Sequence, residues 1–205
     1  NIIEVRKGDN GTRAWTINPG ESCNAFDGKH GGLWRVRGRA MSKLLGVTFT
    51  SFGLTYSSYY RRAPDSNLPE CQWIMKGLSA DEPIGNFGLV GGGAAGLELD
   101  RYDLELGTPH RAYLLAHSEG HNDIFVSVTE ESTFNARGYT QGGTGDNNPW
   151  TRADIVYYKT PNDGAVFSVG SMSWCGSLQH NDYDNNVSQI MQNVLNGFLK
   201  PGTLP

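Results

Sequence analysis

Clear helical periodicity is confined to the C-terminal end of this sequence. Apolar residues recur there at the i, i+3, i+4 and i+7 spacing of one helix face, at Val187, Ile190, Met191, Val194, Leu195 and Phe198. Asn and Asp residues just before this stretch can cap the free N–H groups of a first turn. We therefore predict a helix over residues 183–199, which follows a strand over residues 165–170 and a polar loop.

The polar loop between that strand and that helix is a candidate ligand site. It contains His180, Asn181, Asp182 and Tyr183. In open α/β sheets, ligands bind beyond the carboxyl ends of strands, so we expect His180 to contribute to substrate binding. Polar clusters of this kind equally often only cap helices and bond loop backbone, and that alternative stays open.

The rest of the chain predicts a sheet with long ordered loops. Short runs rich in β-branched or aromatic residues predict strands at 2–6, 13–17, 44–50, 72–75, 113–116, 124–128, 154–158 and 165–170. Long polar connections lie at 21–39, 56–69 and 133–149, and ordered loops of such length are usually functional. The prediction is a single α/β or α+β domain over residues 1–205.

Composition limits the partners that this chain would bind. The net charge is −4, which gives no electrostatic reason to expect a nucleic acid or an anionic membrane. The sequence has no long apolar run and no signal-peptide pattern, so we predict a cytoplasmic location. Three cysteines without C-x-x-C spacing argue against a disulfide framework and a structural zinc site. The chain begins at Asn1 in a strand-like run, which suggests the later part of a longer polypeptide.

Two constellations offer candidate catalytic groups. His117, Glu119 and His121 alternate and would share one face of an extended strand, where they could serve a proton, a metal ion or structural hydrogen bonds. The glycine-rich segment 87–96 contains G-x-G-x-x-G, but strand-like alternation follows it, so no dinucleotide site is predicted. Those glycines can bring Glu98 into a tight, buried loop as a general base, unless Glu98 merely pairs with Arg101 or another surface cation.

Several longer motifs resemble one family. They are GGLWRVRGR at 31–39, SYYRRAPDS at 58–66, FGLVGGGAAG at 87–96, SEGH at 118–121, VFSVGSMSWCGSL at 166–178 and DNNVS at 184–188. Together they resemble the C-terminal part of the large (beta) subunit of the N,N-dimethylformamidase family, over nearly the whole chain.

This resemblance implies a fold and an activity. The implied fold is a glutamine-amidotransferase-like, flavodoxin-like α/β sheet. The implied activity is hydrolysis of N,N-dimethylformamide or a related small amide to formate and dimethylamine at a mononuclear ferric (Fe3+) site. The implied partners are the small subunit of the same enzyme and further large subunits.

The resemblance also implies roles for individual residues. The family's iron ligands, a tyrosine and an H-x-E pair, would lie upstream of the matched stretch, so no metal ligand is expected in this chain. The family's acid/base glutamate matches Glu98 best, and Phe134 is expected to line the same pocket. The alternative is a non-catalytic structural and oligomerisation module, with Arg35, Arg37, Tyr59 and Tyr60 buried against another chain.

Overall fold

The structure is a computed structural model that describes residues 38–127, 145 and 148–200. Its strands are β1 (Thr48–Arg62), β2 (Ala95–Arg101), β3 (Tyr113–Glu119), β4 (Val126–Ser127), β5 (Asp154–Lys159) and β6 (Ala165–Ser168). Its α-helices are α1 (Ser42–Leu45), α2 (Ser173–Ser177) and α3 (Asn186–Leu199), with 3₁₀ turns at Pro64–Asn67 and His180–Tyr183.

The strands form one curled sheet in the order β2-β1-β3-β5-β6, with β4 also paired to β1. Strand β1 is long enough to join two halves: residues 48–58 pair with β2, whereas residues 59–62 pair with β3. Irregularities between Phe49 and Ser51 and between Gly53 and Ser57 interrupt its pairing with β2. Such bulges bend a strand and increase its twist, which explains the curl.

A mixed helix and strand structure is confirmed, but a glutamine-amidotransferase-like, flavodoxin-like sheet is not. Every strand pair in the described part of the chain is antiparallel. A flavodoxin-like sheet needs parallel strands joined by crossover helices. Among the described helices only α3 is longer than five residues, so such crossovers are not formed there.

Helix α3 confirms the C-terminal prediction. Its apolar stripe is buried at Val187, Ile190 and Val194. The helix begins after Asn185, whose side chain accepts a hydrogen bond from the Ser188 N–H at 2.9 Å. The predicted start at residue 183 is too early, because Tyr183 has a left-handed φ of 70°.

The strand predictions have mixed outcomes. Strands are confirmed within 113–116, 154–158 and 165–170, and partly within 44–50 and 124–128, while 2–6 and 13–17 lie outside the described residues. The segment 72–75 is wrong as a strand: it is a series of turns whose Ile74 and Met75 are buried in the core with α3. The connection predicted at 56–69 is also wrong up to Arg62, because β1 continues through it.

The core lies between the sheet and α3. Tyr60, Leu115, Tyr157 and Trp174 are buried there with Ile74. The Tyr60 and Trp174 rings meet edge to face at 5.7 Å, and Trp73 meets Tyr157 similarly at 5.6 Å. Tyr60 is fully buried within this chain, so it is not available to another chain as the oligomerisation alternative expected.

Candidate functional site

Glu98 lies in the middle of β2, in line with two apolar residues on neighbouring strands. Phe52 of β1 pairs with Glu98 on one side and with Val126 of β4 on the other. Directly opposed residues of antiparallel strands point to the same face. We call Glu98, Phe52 and Val126 the Glu98 row.

The Glu98 row is open to solvent. Glu98 is exposed, and the exposed fractions of Phe52 and Val126 are 40% and 36%. Within the residues that the structure describes, no hydrogen bond or ion pair engages the Glu98 carboxylate. A carboxylate beside an apolar side chain and without a counter-ion can accept and release a proton.

The glycines before Glu98 hold β2 close to β1. A Cβ at Gly96 would lie 1.9 Å from Ser57 Oγ, and one at Gly93 would lie 2.2 Å from the Ser58 carbonyl oxygen. The predicted close approach of the glycine-rich segment is therefore observed. The expected burial of Glu98 in a tight loop is not, because Glu98 is on a strand with its side chain exposed.

The alternative pairing of Glu98 with Arg101 is wrong. An odd separation along a strand places the two side chains on opposite faces. Arg101 is fully buried, and its Nη2 donates to Asp103 Oδ2 at 2.9 Å.

Asp100 is a second carboxyl group on the Glu98 face, which the sequence reasoning missed. It follows Glu98 by two positions on β2, and the strand period of two was the signal that could have found it. Its Oδ1 is buried without a hydrogen-bond partner in the described part of the chain. Burial, with a further contribution from the negative charge of Glu98, raises the pKa of Asp100 to about 7.

The three residues His117, Glu119 and His121 do not converge. Glu119 Oε1 accepts a hydrogen bond from Arg61 Nε at 2.9 Å in an ion pair. Gly120 has a φ of 74°, which ends the strand and removes His121 from the alternation. The His121 side chain is instead buried, and its Nε2 lies 2.6 Å from Ser118 Oγ.

The described residues do not fit a metal site of their own. Among residues 38–127, 145 and 148–200, no group of three His, Cys, Asp or Glu side chains could hold a metal ion. The reading that His117, Glu119 and His121 bind a metal therefore has no geometric support.

His180 lies outside the Glu98 row. Its ring stacks on Phe87 with centroids 4.1 Å apart, in the exposed 3₁₀ turn His180–Tyr183. The preceding strand, β6, pairs antiparallel at the edge of the sheet, so the expected site beyond a parallel strand is not formed. The Asn185 side-chain amino group donates to the Leu178 and His180 carbonyl oxygens. Its side-chain oxygen caps α3, as the capping interpretation proposed.

Phe134, like Arg35 and Arg37, lies outside the described residues. None of the helices in the described part of the chain is long and apolar enough to span a membrane.

Comparison with known proteins identifies the family. Residues 1–185 match the family described as "N,N-dimethylformamidase beta subunit-like, C-terminal". The chain is 45% identical over 204 residues to the N,N-dimethylformamidase beta subunit of Alcaligenes sp, and also 45% identical to that of Paracoccus aminophilus. Each match covers 100% of this chain but 26% of the relative, so the chain spans about a quarter of their length. The resemblance seen in the motifs is confirmed, and the chain belongs to the N,N-dimethylformamidase beta subunit-like, C-terminal family.

Proposed function

We propose that this chain is part of an amidohydrolase that converts N,N-dimethylformamide or a related small amide to formate and dimethylamine, with Glu98 as its acid/base group. The observation that carries the proposal is the Glu98 row: an exposed carboxylate without an ion pair among the described residues, in line with Phe52 and Val126.

Amide hydrolysis needs the proton transfers that such a group can make. Glu98 accepts a proton from water as the water oxygen bonds to the formyl carbon. Glu98 then delivers that proton to the amide nitrogen as the C–N bond breaks, so that the amine leaves neutral. Positioned general acid/base groups typically contribute about 100- to 10,000-fold to rate.

The neighbours of Glu98 suit a small, weakly polar substrate. Phe52 beside Glu98 and Val126 beyond Phe52 offer apolar surface to N-methyl groups on one side of the carboxylate. Burial raises the pKa of Asp100 to about 7, so this neighbour of Glu98 is largely protonated below that pH.

The remaining components belong to the longer protein. We infer that a mononuclear iron (Fe3+) is bound by residues outside this chain, that the small subunit and further large subunits complete the assembly, and that the enzyme is cytoplasmic. The two curated relatives carry the name of a beta subunit, which supports a multi-subunit enzyme. The substrate roles of Phe134 and His180 stay predictions.

Substitution of Glu98 tests the proposal in the assembled, full-length enzyme. Glu98→Gln keeps the size of the side chain but cannot move a proton, so we expect turnover to fall by about 100- to 10,000-fold. Iron content and subunit assembly should be unchanged. Glu70→Gln, at another exposed glutamate, is the matched control and should retain turnover.

The same experiment separates the alternative of a structural and oligomerisation module. In that case Glu98→Gln would turn over substrate at a near-normal rate. Loss of assembly after substitution of the exposed Leu89 or Leu54 would then point to the surface of this chain as its contribution.

A further inference from the structure

Two dipeptides in the described part of the chain place glycine directly after an aspartate or an asparagine. They are Asp163–Gly164, in the turn between β5 and β6, and Asn196–Gly197, in α3. Glycine has no Cβ to shield its backbone nitrogen, so in such a pair that nitrogen can attack the carbonyl carbon of the preceding side chain. The surroundings of each pair decide whether this attack occurs in the folded protein.

The groups that would react at Asp163–Gly164 are accessible. Asp163 and Gly164 are both exposed, and Asp163 has the left-handed φ of 59° that suits a hairpin turn. Among the described residues, no hydrogen bond or ion pair engages the Asp163 carboxylate or the Gly164 N–H. Exposed turns with few contacts open at little cost in free energy, so the nitrogen and the carboxyl carbon can approach each other.

Asn196–Gly197 is chemically the more reactive pair, because an amide loses ammonia more readily than a carboxyl group loses water. Its surroundings oppose the reaction. The pair lies within α3, where Gly197 is buried, and a Cβ at Gly197 would lie 2.3 Å from the Trp73 ring. In an α-helix the glycine N–H donates to the carbonyl four residues earlier, so attack there first requires α3 to open locally.

We propose that Asp163–Gly164 is a site of spontaneous isoaspartate formation in the folded protein, and that α3 protects Asn196–Gly197 from the equivalent reaction. The structure thus reverses the order of reactivity that the two dipeptides would have in an unfolded chain. This inference does not depend on the proposed role of Glu98.

The reaction needs no other reactant than water. The Gly164 nitrogen bonds to Asp163 Cγ while the C–OH bond of the protonated carboxyl group breaks, and the hydroxyl leaves with the amide proton as one water molecule. The product is a cyclic succinimide. Water then opens the ring. Cleavage between the nitrogen and Cγ restores aspartate, whereas cleavage between the nitrogen and the main-chain carbonyl carbon gives isoaspartate, in which the chain runs through Cβ and Cγ.

Isoaspartate would change the hairpin that joins β5 to β6. It adds one carbon to the main chain of the turn, next to the paired residues Lys159 and Ala165. The Thr160 N–H donates to the Gly164 carbonyl oxygen at 2.7 Å in this turn. Because the length of a hairpin turn sets the register of its strands, the pairing nearest the turn would be disturbed first.

The unmodified, assembled full-length protein gives the first test. It is incubated in mildly acidic buffer and digested, and the peptide that contains residue 163 is analysed by electron-transfer mass spectrometry. This method distinguishes isoaspartate from aspartate by fragments cleaved between Cα and Cβ. Isoaspartate at residue 163 should accumulate with time. If it does not form there in the folded protein, the proposal is wrong.

Asp163→Asn gives a matched comparison within one protein, because both sites are then Asn–Gly and differ in their surroundings. Asparagine tolerates the left-handed conformation of the turn. At neutral pH, deamidation at residue 163 should be about tenfold faster or more than at Asn196, since α3 must open first. In urea the two rates should become similar. Equal rates in the folded protein would contradict protection by α3, and a difference that persists in urea would show that the fold is not its cause.

Discussion

Glu98 and Glu119 lie on neighbouring parts of one sheet and have opposite surroundings. Glu119 of β3 is held by Arg61, whereas Glu98 of β2 is exposed beside apolar residues, with no ion pair among the described residues. From this difference we propose proton transfer for Glu98, whereas the ion pair with Arg61 holds Glu119 in a structural contact.

The two regions also bury titratable groups with opposite consequences. Burial raises the pKa of Asp100, beside Glu98, from 3.8 to about 7. At the end of β3, burial lowers the pKa of His121 from 6.5 to about 4. Desolvation disfavours the charged form in both cases, which is the anion for Asp100 and the cation for His121. The regions should therefore respond to pH in opposite directions.

The largest effect is expected from Gly96→Ala, which separates β2 from β1. The new Cβ would lie 1.9 Å from Ser57 Oγ, and Ser57 is itself buried and bonded to Ser173 Oγ at 3.0 Å. We expect a loss of about 2 to 3 kcal/mol in the free energy of unfolding, measured by urea denaturation. Gly176→Ala is the control, because its Cβ would have no neighbour closer than 3.7 Å. Equal stability of the two variants would show that the close approach is not required.

Phe52→Ala should reduce substrate use more than stability, since Phe52 is 40% exposed. Loss of one apolar wall of the Glu98 row should lower kcat/KM by about tenfold. The measurement is steady-state hydrolysis of N,N-dimethylformamide by the assembled enzyme. Leu54→Ala, at a more exposed apolar residue of the same strand, is the control. A similar loss in both variants would remove Phe52 from the pocket.

Asp100→Asn should remove a pH dependence of stability. The folded state holds the Asp100 proton up to about pH 7 whereas an ordinary carboxyl loses it near 3.8, so stability is full below 3.8 and is lost as pH rises to about 7. Asn imitates the protonated form, so the melting temperature of the variant should exceed that of the unmodified protein by a few degrees at pH 8 and not at pH 4. A melting-temperature difference between the two proteins that is the same at pH 4 and at pH 8 would contradict the assignment.

His121→Gln should show the smallest change, in the opposite direction. The unfolded histidine takes up a proton near pH 6.5 and the folded one only near 4, so stability is full above 6.5 and is lost as pH falls to about 4. Gln has no such titration and can still bond Ser118. The melting temperature of the variant should therefore fall less between pH 6.5 and pH 4 than that of the unmodified protein. An equal fall of the melting temperature in both proteins would exclude His121 as the source of the acid sensitivity.

The local features of this fold could be predicted from sequence, whereas the site depended on distant pairings. Helix α3 was predictable because its apolar spacing and its Asn185 cap lie within one short segment. The failure at 72–75 has a physical reason: its apolar residues pack onto α3 rather than alternate along a strand. The Glu98 row could not be predicted, because Phe52 and Val126 reach Glu98 only through strand register set by bulges in β1.

Chemical rescue is the most direct test of proton transfer by Glu98. Glu98→Ala removes the carboxylate and leaves room for a small acid, so turnover of the assembled enzyme should be low and should rise with added acetate. Turnover of Glu119→Ala should be close to normal and should not respond to acetate. A Glu98→Ala enzyme that hydrolyses the amide at a near-normal rate without acetate would contradict the account.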